Sequence, residues 1–267
     1  MIDIQNTRDT REVPLKKVGI SDLTYPVKVL DKERGTQMTT ARVNLYVNLP
    51  QHFKGTHMSR FIEIFHRHHE DLGMRQFLAM LEEIRVSLEA ERSFGSISFP
   101  FFLEKAAPVS GEKGIMSYQC GYEGEVFEGG SKFFVSVSVP VTTVCPCSKA
   151  ISDRGAHNQR GIVSVKIESK SLFWMEDVIR AIEGAASSGL YSVLKRPDEK
   201  YVTEHAYDNP CFVEDVVREV YIALRDFKQC ERSFSWFSVE CRNFESIHNH
   251  NATAYTEFSR LPDGGRQ

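Results

Sequence analysis

Hydrophobic and polar positions along the chain change period several times, and each change marks a new element. Val18–Val29 and Ala41–Leu49 are β-like, with the turn signal Asp31-Lys32-Glu33-Arg34-Gly35 between them. From His57 the period lengthens. Met58, Phe61, Ile62 and Phe65 fall on one helical face, and after Gly73 so do Phe77, Leu81, Ile84 and Leu88. Ser96–Leu103 and Ile115–Phe127 return to strand character, and Gly129-Gly130 is the clearest break. Beyond it Val135, Val137 and Val139 alternate with Ser136 and Ser138. A polar stretch runs from Pro146 to Gly161, and Val163, Val165 and Ile167 alternate again. Met175, Val178, Ile179 and Ile182 form a helical stripe, as do Val213, Val216, Val217, Val220 and Leu224. The chain closes with β-like runs at Phe234–Cys241 and Ala252–Phe258.

The pattern reads β-β-α-α-β-β twice. It predicts an α+β protein of two ββααββ units, with antiparallel sheets and helices on one face of each. The expected divisions are a mobile N-terminal arm over 1–14, a first unit over 15–128, a second over 129–260, and a frayed tail over 261–267. A single irregular α+β domain is the alternative reading.

Composition narrows the function. With 41% hydrophobic and 26% charged residues among 267, the chain is neither disordered, fibrous nor coiled-coil. A chain of this size buries about three quarters of its unfolded surface, so its core needs neither disulfides nor metal. The net charge of −3, without a basic stripe, argues against binding duplex nucleic acid. A local Lys/Arg cluster can still receive a small anion. No apolar run approaches membrane-spanning length. The N-terminus resembles neither a signal peptide nor a transit peptide, and a cytoplasmic setting is expected. Six cysteines in such a chain read as free thiols, metal ligands or a nucleophile rather than a disulfide framework.

Three segments can carry chemistry. In the first, Cys145 and Cys147 end a strand, and His157 follows in Ala156-His157-Asn158-Gln159-Arg160-Gly161. If the intervening loop folds back, His157 comes near Cys145. Thiolate and imidazole are good ligands, and three protein ligands leave a position open for water. Buried strand cysteines and a redox pair are competing readings. In the second, Asn209-Pro210 opens a helix and puts Glu214 in its first turn. There it is a third ligand or simply an acid suited to the helix dipole. In the third, Glu245, His248 and His250 lie in the turn between the last two strands. A carboxylate and two imidazoles can read a purine edge and move protons; H-x-H can also bind metal. His66, His68 and His69 read as a solvated helix face. Ser59, Arg60, Lys149, Arg160, Lys195, Arg196 and Lys200 are candidates to meet an anion.

Taken together, Gly55-Thr56-His57-Met58-Ser59-Arg60-Phe61, the block TTVCPCSKAIS with AHNQRG, LKRPDEKYVTE with NPCFVEDVVR, and CRNFESIHNH resemble the prokaryotic GTP cyclohydrolase type IB family. The resemblance runs from the Asp3–Arg11 region to about residue 258. It implies a tandem tunnelling fold, a homotetramer with sites at subunit interfaces, and one divalent metal (Zn, Mn or Fe) per site. It implies conversion of GTP and water to 7,8-dihydroneopterin triphosphate and formate, the entry to folate-type pterins and to deazapurines such as queuosine. By the resemblance, Cys145, His157 and Glu214 match the metal ligands and Cys147 a second active-site thiol. Glu245 matches the guanine anchor, and His248 and His250 the acid/base histidines. Ser59, Arg60, Arg160 and Lys195 are then expected on the substrate. One departure is visible: Asn251 stands where the family pattern has Asp. The competing functions are a nitrile-reductase-like enzyme with a Cys nucleophile, and a purine-binding or zinc-buffering protein without turnover.

Overall fold

Alternating burial builds the first half of the protein. The computed structural model describes residues 5, 7, 9–230 and 232–260. Strands β1 (Leu15–Asp31) and β2 (Gly35–Leu49) form an antiparallel hairpin in which Val27, Val29, Val43 and Leu45 are fully buried. Helices α1 (Met58–His68) and α2 (Met74–Ser87) follow, burying Phe61, Phe65, Phe77, Leu81 and Ile84. Each such side chain contributes about 1.5–3 kcal/mol relative to exposure. The α1 stripe is rotated from expectation. Ile64 is buried, whereas Met58 and Ile62 are about 40% exposed. Phe77 meets Tyr122 and Phe133 edge-on at 6.2 and 5.9 Å.

Strands β3 (Arg92–Ala106), β4 (Lys113–Phe127) and β5 (Gly130–Val144) follow, then α3 (Pro146–Ile151) and β6 (Asn158–Glu168). The remainder is α4 (Met175–Gly184), the two-residue β7 (Ser188–Gly189), α5 (Arg196–Asp208), α6 (Val213–Arg225), β8 (Trp236–Asn243) and β9 (Ala252–Ser259). Every stripe residue expected in α4 and α6 is buried, and α6 packs on β8 and β9. Helices α3 and α5 have no apolar stripe, and the sequence pattern misses both. α5 buries only Asp198 and Ala206. Asp198 is held by the N–H groups of Val109, Ser110 and Lys195, each at 2.8 Å, and by the Ser110 hydroxyl at 2.6 Å.

The architecture corrects the expected tandem tunnelling fold of two ββααββ units. Among the described residues the strands form one nine-stranded sheet in the order β1-β2-β3-β4-β5-β6-β8-β9, with β7 beside β5. The turn between β4 and β5 is the reason. It is only Glu128-Gly129 long, with Gly129 at φ +79°, and so short a turn makes β4 and β5 hairpin neighbours rather than edges of separate sheets. The second half also departs from the first, because α3 precedes β6 while β7 and α5 separate α4 from α6.

The chain divides into two compact units: residues up to Pro100 with Gly121–Val135, and Phe101–Cys120 with the residues from Ser136 onward. Of the expected arm, residues 1–4, 6 and 8 lie outside the described residues, as does the tail 261–267. Gln5, Thr7 and Asp9 make backbone hydrogen bonds to Gly55, Lys54 and His52. Among the described residues no helix is long and apolar enough to cross a membrane.

Candidate active site

Main-chain hydrogen bonds gather the end of β5, the start of β6, the end of β8 and the entry to α6. The Cys145 amide donates to the His157 carbonyl at 3.0 Å, closing the loop that contains α3. The Cys211 amide donates to the Val144 carbonyl at 3.1 Å, and the Phe244 amide to the Arg160 carbonyl at 2.9 Å. Buried Ser187 adds a further tie. Its Oγ accepts from the Val144 amide at 3.0 Å and lies 3.1 Å from Cys211 Sγ. Close packing continues at Gly161, where a Cβ would stand 2.5 Å from Asn243 Oδ1.

Cys145 caps α3. Its half-buried Sγ accepts from the Ser148 amide at 3.5 Å, while Ser148 Oγ donates to the Cys145 carbonyl and accepts from the His157 amide at 3.1 Å. His157 Nδ1 lies 2.9 Å from Gln159 Oε1, and Gln159 Nε2 donates to Thr143 Oγ1 at 2.7 Å. Cys147 is exposed. Glu214 is exposed in the first turn of α6 and borders a cavity of about 470 Å³ that Arg218, Tyr221 and Tyr255 also line. The capping role belongs to the next residue. Asp215 accepts from the Phe212 amide at 3.0 Å and from Arg218 at 3.1 Å.

The loop therefore brings Cys145 and His157 together as expected, and the entry to α6 is tied to Val144. Among the described residues, however, no three His, Cys, Asp or Glu side chains converge closely enough to hold a metal ion. The donor chemistry nonetheless fits a divalent cation. A thiol and an imidazole whose Nδ1 is already engaged sit on adjoining strand ends, with a carboxylate on the tethered helix.

Glu245 is half-buried directly after Phe244, the residue bonded to Arg160. His248 and His250 are exposed with their rings stacked 5.1 Å apart, and His250 Nδ1 is 3.4 Å from Asn249 Oδ1. Arg160 is exposed at the start of β6, and Lys195 is exposed at the head of α5. Lys149 is engaged elsewhere, donating to the Tyr207 carbonyl and lying 4.2 Å over that residue's ring. Ser59 and Arg60 belong to the other unit, where Arg60 donates to the Ser87 carbonyl at 2.9 Å. The α1 histidines have partners too: His66 Nδ1 lies 2.6 Å from Tyr25 Oη and His68 Nε2 2.8 Å from Glu83. Sequence reasoning passed over Thr143, Ser148, Gln159 and Ser187. The available signal was strand periodicity, which puts Thr143 on the face of Cys145 and Gln159 on the face of His157.

Three comparisons bear on this site. Residues 1–254 match a family model described as type I GTP cyclohydrolase folE2. That agrees with the type I cyclohydrolase resemblance, under the description folE2 rather than type IB. The chain is 54% identical over 257 residues to GTP cyclohydrolase FolE2 of Syntrophus aciditrophicus, covering 96% of this chain and 99% of the relative. It is 49% identical to the GTP cyclohydrolase FolE2 of Geobacter sulfurreducens, covering 96% and 98%. Among solved structures it is similar in fold to uricase from Arthrobacter globiformis, with a TM-score of 0.51, 6% identity and coverage of 94% and 96%. That likeness concerns fold alone, and it is to this single-sheet architecture rather than to the expected pair of ββααββ units.

Proposed function

The chain belongs to the type I GTP cyclohydrolase folE2 family, and from that premise we propose that the strand-end site opens the purine ring of GTP. The enzyme acts as a GTP cyclohydrolase in folate biosynthesis, turning GTP and water into 7,8-dihydroneopterin triphosphate and formate. The same product would serve deazapurine synthesis of the queuosine kind. The observation that supports locating the reaction here is the Cys145–His157 backbone bond, which makes a cysteine and a histidine neighbours at the base of the loop that contains α3.

Glu245 would accept hydrogen bonds from N1–H and the exocyclic amine of guanine together, a charge-assisted pairing that adenine cannot offer. His248 and His250, stacked on the neighbouring turn, would deliver protons to the ring nitrogens as the C8 bonds break and C8 leaves as formate. Cys147, exposed on α3, is the second thiol available to the reacting purine. Arg160 and Lys195 supply cationic side chains for the triphosphate, with Ser59 and Arg60 as further candidates. Cys145, His157 and Glu214 would hold one divalent ion, Zn, Mn or Fe. When bound, the ion supplies a hydrolytic water that ionises near neutral pH.

A homotetramer is part of the same reading. β1 and β9 terminate the strand path, and terminal strands of an antiparallel sheet invite pairing with another copy. All six cysteines are free, which suits a reducing, cytoplasmic setting. The test is direct. Metal-loaded protein incubated with GTP should release formate and yield a fluorescent pterin after oxidation. Stoichiometric metal and GTP binding without formate would instead favour a binding protein.

A further inference from the structure

Two residues outside the proposed ligand set form a hydrogen-bonded chain with His157. Thr143 is fully buried and Gln159 is 7% exposed, although both are polar. Stepping two residues inward along each strand from the Cys145–His157 backbone bond sets Thr143 opposite Gln159, on the neighbouring strands β5 and β6. Gln159 Nε2 donates to Thr143 Oγ1 at 2.7 Å, which leaves the amide oxygen facing His157. That oxygen can only accept, so His157 Nδ1, 2.9 Å away, must donate. A neutral imidazole carries one N–H, and Nε2 is then the nitrogen with the lone pair.

We propose that the Thr143–Gln159 pair is a positioning relay that holds His157 as its Nδ1–H tautomer and presents Nε2 for coordination. The inference rests on the metal-centred reading of the site, but its first readout does not need the metal. The relay is built from buried strand residues, so the ring's orientation is set before any ion or substrate arrives.

The experiment uses the full chain labelled with ¹⁵N-histidine, metal-free at pH 8, with the His157 signals identified by their loss in His157→Asn. Wild type should show the pure Nδ1–H pattern of nitrogen shifts. Gln159→Met keeps the side-chain length and removes the amide. It should give mixed tautomers and weaken Zn²⁺ binding, measured by competition with a chromophoric chelator, about 10- to 100-fold. Gln159→Glu still accepts from Nδ1 and should restore both the shifts and the affinity. Thr143→Val, nearly isosteric, should move both readouts in the direction of Gln159→Met, and it serves if that variant does not fold. Wild-type shifts and affinity in Gln159→Met, or failure of Gln159→Glu to restore them, overturns the relay. Altered shifts in a protein whose wild type binds no Zn²⁺ would uphold the relay and remove the metal reading.

Discussion

Cys211 and Val144 are joined by a backbone hydrogen bond of 3.1 Å, so the chain entering α6 is fastened to the last residue of β5. Cys145 is the next residue on one side of that bond, and Glu214 lies three residues along on the other. Two segments separated by more than sixty positions in sequence are thus tied together through the backbone.

Metal removal tests the ligand set directly. Chelator should abolish formate release, and readdition of a divalent ion should restore it. Glu214→Ala should lower kcat/KM about a thousandfold, equivalent to several kcal/mol of lost transition-state stabilisation. Turnover that persists in chelator-treated, metal-free protein rejects the assignment.

Guanine recognition should be separable from metal binding. Glu245→Gln replaces a carboxylate that accepts twice with an amide that turns an NH₂ toward guanine's own donors. The expected loss is about 1.5–3 kcal/mol, or roughly 10- to 100-fold in kcat/KM, with metal content unchanged. Steady-state kinetics beside elemental analysis distinguishes the two effects, and equal loss of both contradicts the assigned role.

Gly161 is a steric requirement. It pairs with Asn243 across β6 and β8, and an added Cβ would approach Asn243 Oδ1 to 2.5 Å. Asn243 is itself buried, 2% exposed. Gly161→Ala should destabilise the protein by about 1–3 kcal/mol and lower Tm by several degrees in a thermal melt.

Asp198 ties stability to pH. Burial raises its pKa, but the hydrogen bonds from Ser110, Lys195 and Val109 outweigh burial and hold the carboxyl well below the usual carboxylate range. Its folded pKa is therefore below the unfolded value of about 4. The stabilisation is fully present above about pH 4 and is lost as pH falls toward the folded value. Asp198→Asn should lower Tm at pH 7, and the gap from wild type should narrow in melts below about pH 4. A gap that widens in acid contradicts this account.

The thiols should divide sharply by reactivity. Burial pushes Cys241 up to about 12 and also raises Cys120 and Cys211, the last partly offset by Ser187. Cys147 is exposed. Iodoacetamide at pH 8 should modify Cys147 first and leave Cys120 and Cys241 intact under native conditions, as read by peptide mass mapping.

Legibility in the sequence followed the physical origin of each element. The stripes of α4 and α6 were readable because apolar burial drives those helices. α3 and α5 were invisible because polar contacts hold them: the Cys145 cap in one, and Asp198 in the other. The division into two sheets failed at Glu128-Gly129, where a tight turn rather than any hydrophobic pattern decides which strands pair. At the site, the nearness of Cys145 and His157 could be read from one short loop. For Thr143 and Gln159 periodicity gave the face but not the burial or the bond between them, since a polar residue in an alternating strand looks solvent-facing until its cross-strand partner is known.

The bonds that fasten Cys145 to His157, Cys211 to Val144 and Phe244 to Arg160 all run from amide to carbonyl. Such a frame is blind to the identity of the residues it displays. Mutation can exchange thiol, imidazole or carboxylate for other groups while the skeleton that carries them persists. The comparison at 6% identity shows how far sequence can diverge over a shared architecture. Replacing one reaction with another on this scaffold would then be a matter of refurnishing loops, with the β-structure beneath left untouched.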